Sequence, residues 1–94
     1  MSEMASVRAT INGLVQGVGF RYYTRAEARN LGLSGYVRNL PGGKAVETEA
    51  EGNRADLEKL VEFLTKGPPM ARVDNIDIEW ADYSGQYGDF SIRR

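Results

Sequence analysis

Apolar periodicity along this 94-residue chain switches between two residues and 3.6 in a fixed order, and that order admits few folds. "SVRATINGL", residues 6–14, sets Val7, Ala9 and Ile11 against Arg8, Thr10 and Asn12, the alternation of a half-buried strand. Residues 21–31 then place Thr24, Ala28 and Leu31 on one weakly apolar helical face, and Gly32 suits a left-handed stop. "GYVRNL" predicts a second short strand, and "PGG" at 41–43 a turn. "AVETEAEG" alternates again, with Val46, Thr48 and Ala50 on one side and Glu47, Glu49 and Glu51 on the other. Residues 53–66 form the clearest helix: Asn53 can cap it, and Leu57, Leu60, Val61 and Leu64 make its apolar stripe. "GPP" at 67–69 stops that helix, "VDNIDIEW" alternates through Ile76, Ile78 and Trp80, and "DFSIRR" predicts a short edge strand.

The order is β-α-β-β-α-β with a small fifth strand. It predicts one α+β domain over residues 1–94, a ferredoxin-like sandwich with an antiparallel-type sheet and two helices on one face. Right-handed crossovers make strands 1 and 2 parallel, with strand 3 between them. Their C-terminal ends then share one edge, about 10 Å apart. The loop from Leu14 to Phe20 and the end of strand 2 near Asn39 can therefore face one small molecule.

Composition narrows the chemistry. The chain has no cysteine, which excludes disulfides, thiolate nucleophiles and cysteine-zinc sites, and no histidine, which excludes an imidazole base or ligand. Twelve basic and 13 acidic residues leave a net charge of −1, giving no electrostatic case for nucleic acid or anionic membrane. "MSEMASVRAT" has neither the basic run nor the apolar stretch of a leader, and no window reaches the length of a membrane span. A cytoplasmic monomer is expected.

The densest signal is "NGLVQGVGFRYYTRAEARN", residues 12–30. Gly17 and Gly19 permit backbone angles that turn successive N–H groups towards one point. Such a nest binds anions, the N-terminus of the following helix adds partial positive charge, and Arg21 offers a planar fork for two phosphate oxygens. The same residues also suit a tight strand-to-helix connection with Arg21 solvated, and a short glycine loop taken alone favours that plainer reading. Neither GxxxxGK[ST] nor GxGxxG occurs in the loop.

"GLVQGVGFR" at 13–21 resembles the acylphosphatase motif Gly-x-Val-Gln-Gly-Val-x-Phe-Arg at every specified position, and "LGLSGYVRN", "GPPMARV" and "YGDFSI" extend the likeness along nearly the whole chain. The resemblance implies metal-independent hydrolysis of small acyl phosphates without a cofactor, and inorganic phosphate as product and competitive inhibitor. It implies that Arg21 binds phosphate, that the backbone of Gln16, Gly17, Val18, Gly19 and Phe20 forms the cradle, and that Asn39 positions the attacking water. One departure stands out. The family's second motif, Asn-x-x-x-Gly-x-Val, has one extra residue here between Asn39 and Val46, which lengthens the turn.

Other constellations read as structural. Glu47, Glu49 and Glu51 are spaced about 6–7 Å apart along one strand face, too far to share a small cation unaided, and are expected to be solvated. Of Tyr22 and Tyr23, at least one should pack the helix. Trp80 reads as core, and Arg93 and Arg94 as a solvated tail. Arg8, Arg25, Arg29 and Arg38 are secondary candidates for the phosphate field. Two alternatives to catalysis remain: a non-catalytic phosphate or metabolite binder, and an RNA-binding module on the same fold. The absence of aromatics from "AVETEAEG" disfavours the second.

Overall fold

The computed structural model describes residues 3–94; Met1 and Ser2, at the start of the stretch read for a leader, lie outside the described residues. The elements are β1 (Met4–Leu14), α1 (Phe20–Asn30), β2 (Ser34–Asn39), β3 (Ala45–Asn53), α2 (Arg54–Lys66), β4 (Arg72–Asp82) and β5 (Phe90–Arg93). The sheet runs β4-β1-β3-β2-β5, so β3 does lie between β1 and β2 and pairs antiparallel with both. Both helices pack on the same face. Leu57, Leu60 and Leu64 of α2 and Phe20 and Ala28 of α1 meet Val7, Ala9, Ile11, Val37, Val46 and Ala50 of the sheet in one buried core.

The helix ends follow their local chemistry. Asn53 caps α2 by accepting the Ala55 N–H at 3.0 Å. Gly32, at φ 72°, lets the chain leave α1, and the Leu33 N–H then reaches back to the Ala28 carbonyl at 2.9 Å.

The sheet is mixed rather than wholly antiparallel, because β5 pairs parallel with β2. The reason lies in the chain's path. β4 ends with Asp82 opposite Ala5, at the end of the sheet where β2 begins, so a strand entered from there runs with β2.

The connection through residues 83–89 also corrects the expectation of a solvated glutamate face. Glu51 is 1% exposed and accepts from the Ser84 hydroxyl (2.7 Å), the Ser84 amide (3.0 Å) and the Gly85 amide (2.9 Å). Glu49 accepts from Tyr87 and Arg8, and Glu47 from Tyr36 and Arg38. Burial and the bond to Glu47 push the Tyr36 hydroxyl up to about 12. Alternation alone could not foresee a covering segment that arrives from more than 30 residues away.

Arg93 is likewise no loose tail. It lies within β5, its guanidinium 4.3 Å from the Tyr36 ring centroid. Trp80 shares a face with Ile76 and Ile78 but sits towards the outer end of an edge strand, 36% exposed, with the Arg54 guanidinium 3.7 Å from its ring centroid.

Candidate active site

Between β1 and α1 the chain is pinned by the buried side chains of Val15 and Phe20, with Val18 packed partly against the core. Between these anchors Gly17 and Gly19 adopt φ of 74° and 79°. A Cβ at either would meet nothing within 4 Å, so glycine is required there for the backbone angle and not for lack of room.

Gly19 is also the N-cap of α1, and it leaves that helix end bare. A serine or aspartate there would satisfy one of the first helical amides, but here no side chain caps them and the first turn holds no acidic residue. The Tyr23 N–H closes the first helical bond, to the Gly19 carbonyl at 3.0 Å. Among the described residues the N–H groups of residues 16–22 donate to no protein acceptor. A run of uncommitted amides therefore meets the positive end of the helix dipole, an arrangement that attracts an anion.

Arg21 is the second residue of that helix, half-buried, and makes no ion pair, hydrogen bond or ring contact among the described residues. The other candidate arginines are engaged. Arg8 pairs with Glu49 at 3.1 Å, Arg29 with Asp89 at 3.2 Å and Arg38 with Glu47 at 2.8 Å, while Arg25 lies over the Tyr22 ring. Tyr23 stacks on Phe63 with ring centroids 4.0 Å apart, whereas Tyr22 is 62% exposed.

Asn39 ends β2 opposite Val46, which on its other side faces Ile11 of β1. Two strand spacings thus separate Asn39 from Ile11, about 10 Å. Partners across a sheet share a face, so the Asn39 side chain leaves β2 on the helical side, where Ile11 and Val46 are buried. Its Oδ1 is buried and has no hydrogen-bond partner among the described residues. An orphaned buried acceptor costs about 1–3 kcal/mol, so a donor brought to the end of β2 would be favoured there.

Gln16 has a part that the motif alone did not reveal. Its side-chain Nε2 donates to the Leu40 and Ala45 carbonyls, each at 2.8 Å, and so fastens the amide loop to both ends of the β2–β3 turn that follows Asn39. The backbone-cradle expectation concerned only its peptide group. The available signal was the one long amide side chain in a loop of glycines and valines, 24 residues from its partner.

The comparisons with known proteins agree with one another. The acylphosphatase family profile matches residues 7–92. The chain is 47% identical over 93 residues to an acylphosphatase of Anaeromyxobacter dehalogenans, covering 99% of each. Its fold superposes on the acylphosphatase from Bacillus subtilis with a TM-score of 0.91 at 36% identity, over 96% of this chain and 99% of that one. For an acylphosphatase from Coxiella burnetii the TM-score is 0.90 at 38% identity, over 97% and 94%.

Proposed function

The chain belongs to the acylphosphatase family and hydrolyses acyl phosphates, and we propose that Arg21, with the amides of Gln16, Gly17, Val18, Gly19 and Phe20, holds the phosphoryl group while Asn39 positions the attacking water. The observation that carries this assignment is the coincidence, at the mouth of one helix, of unpartnered amides with the one candidate arginine that no other group engages.

The reaction asks little more. An acyl phosphate dianion and water give a carboxylate and dihydrogen phosphate: a P–O bond forms to the water oxygen and the P–O bond to the acyl oxygen breaks. The leaving carboxylate has a conjugate acid with a pKa near 4, so no general acid is needed, and the absence of histidine is no obstacle. Phosphoryl transfer has a loose transition state in which positioning and charge stabilisation dominate. Arg21 and the amides supply the charge. The orphaned Oδ1 of Asn39 can accept from the water, while its amide N–H groups can donate to a phosphate oxygen. Asparagine cannot take the water proton near neutral pH, so that proton passes to a phosphoryl oxygen, as the balance above requires.

We extend the proposal to a single domain working as a cytoplasmic monomer, without metal or nucleic acid, with inorganic phosphate as competitive inhibitor. The activated leaving group supports a metal-free reaction, and a net charge of −1 gives no electrostatic case for nucleic acid. Purified protein should hydrolyse acetyl phosphate equally with and without chelator, and Asn39→Ala should lower kcat about 10²–10³-fold with phosphate affinity little changed. Full turnover by Asn39→Ala would move water positioning elsewhere, and loss of activity to chelator would refute the metal-free step.

A further inference from the structure

The Oδ1 of Asn39 meets no donor among the described residues, so no hydrogen bond to that atom orients the side chain. Its placement rests on the backbone at the end of β2. There Asn39 pairs with Val46, and the Leu40 N–H closes the turn on the Ala45 carbonyl at 3.0 Å. Residues 41–44 beyond it are exposed turn. On the helical side Gln16 grips both ends of that turn. The open side of the sheet holds a second tie. One residue before Asn39, Arg38 stands directly opposite Glu47, and its Nε donates to the Glu47 Oε1 at 2.8 Å.

The same Glu47 oxygen accepts the Tyr36 hydroxyl at 2.8 Å, so one carboxylate gathers the two alternate side chains of β2 that lead up to Asn39. The Glu47 side chain is only 16% exposed, against 61% for Glu58 in the Arg54–Glu58 pair of α2. A drier pair is screened less and holds its geometry better. β5 sharpens the requirement. Arg93 lies opposite Arg38 in the parallel register, with its guanidinium stacked against the Tyr36 ring. Glu47 draws Arg38 towards β3, away from that second cation. Without Glu47 two guanidinium groups would adjoin across β2 and β5, and like charges on neighbouring strands destabilise their pairing. The loosened residue would be the last one before Asn39.

We propose that Arg38 and Glu47 are positioning residues for the hydrolysis: their ion pair fixes the end of β2 so that the Asn39 amide meets the water in register with the phosphoryl group. The proposal rests on the role given to Asn39 above. Arg38 and Glu47 leave their strands on the face opposite the one Asn39 shares with Val46. They therefore act through the backbone and touch neither the water nor the phosphate.

The test measures kcat for acetyl phosphate and the inhibition constant of inorganic phosphate. The proteins are wild type, Arg38→Met, Arg38→Lys, Asn39→Ala and the double variant Arg38→Met/Asn39→Ala. Arg54→Met, which breaks the exposed pair on α2, is the control. A displacement of about 1 Å can cost about 10²-fold, so loss of this one tie should lower kcat about three- to tenfold in Arg38→Met. Arg38→Lys keeps the charge and should recover most of that loss, and Arg54→Met should leave kcat unaltered. Phosphate inhibition should stay constant throughout, because the cradle is untouched. The double variant is decisive: its kcat should match that of Asn39→Ala alone, since no amide remains for the pair to position. An equal further fall in the double variant would overturn positioning through Asn39. So would an unaltered kcat, or weakened phosphate inhibition, in Arg38→Met. Full turnover by Asn39→Ala would instead refute the water-positioning reading, and this inference with it.

Discussion

Replacing Gln16 by glutamate changes almost no volume and inverts the chemistry of the contact that joins the amide loop to the end of β2. The wild-type Nε2 donates two hydrogen bonds, each 2.8 Å long and partly buried. At a net 0.5–1.5 kcal/mol per bond, their loss costs about 1–3 kcal/mol. Ala45 keeps one donor, the Leu40 amide at 3.0 Å, so truncation to alanine should fall in the lower half of that range. Glutamate should be worse at pH 7, because an ionised carboxylate then faces two carbonyl oxygens. Carbonyl dipoles raise the pKa of such a carboxyl above its unfolded value, so the deficit is present at neutral pH and shrinks as the pH falls and a proton restores one donor. Urea unfolding at pH 7 and pH 5 measures both variants against wild type, and acetyl phosphate turnover on the same samples reads the site. A loop displaced by about 1 Å can cost about 10²-fold in kcat/KM. If Gln16→Glu were as stable as Gln16→Ala at pH 7, or lost no activity, the clasp would not be what registers the loop against β2.

The same kind of accounting separates function from stability at Asn39. Its orphaned Oδ1 means that Asn39→Ala should leave urea stability unchanged or raise it by up to about 1 kcal/mol while activity falls, and a clear loss of stability would show the side chain to be structural. Burial pushes the Glu51 carboxyl up, but the hydrogen bonds from Ser84, Gly85 and Ser6 together bring it below the usual carboxylate range. Its contribution is then present above the unfolded pKa, near 4.3, and is lost as pH falls through the lower folded value. Glu51→Gln should lower stability at pH 7 by about 2–3 kcal/mol and flatten the acid limb of the stability curve, since one carboxylate oxygen becomes an amide nitrogen that cannot accept, leaving either the Gly85 amide or the Ser84 donors unmatched. An unchanged acid limb in that variant would remove Glu51 from the account.

Much of this arrangement was legible in the residues because local pattern and global order agreed. The two periods gave β1, α2 and β4 to within a few residues, and the crossover rule put β3 between β1 and β2. It was that order which brought the glycine loop and Asn39 to one edge. The form of the glycine loop was legible because φ angles near 75° at Gly17 and Gly19 are a property of glycine itself. What stayed hidden depended on long-range packing. Glu51 looked solvated because nothing near it in sequence says that Ser84 and Gly85 will cover it. Trp80 looked like core because periodicity gives a face but not a distance from the sheet's rim. The clasp of Gln16 and the freedom of Arg21 are both facts about partners, and neighbours in sequence do not disclose partners.

The central claim is that the unpartnered amides from residue 16 onward, completed by Arg21, are where a phosphoryl group sits. Amide NMR spectra recorded during titration with inorganic phosphate address it directly. The account predicts saturable shifts concentrated in the N–H groups of Gln16, Gly17, Val18, Gly19, Phe20 and Arg21, and their disappearance in Arg21→Ala. Shifts confined to another part of the chain, or an unaltered titration in Arg21→Ala, would contradict it.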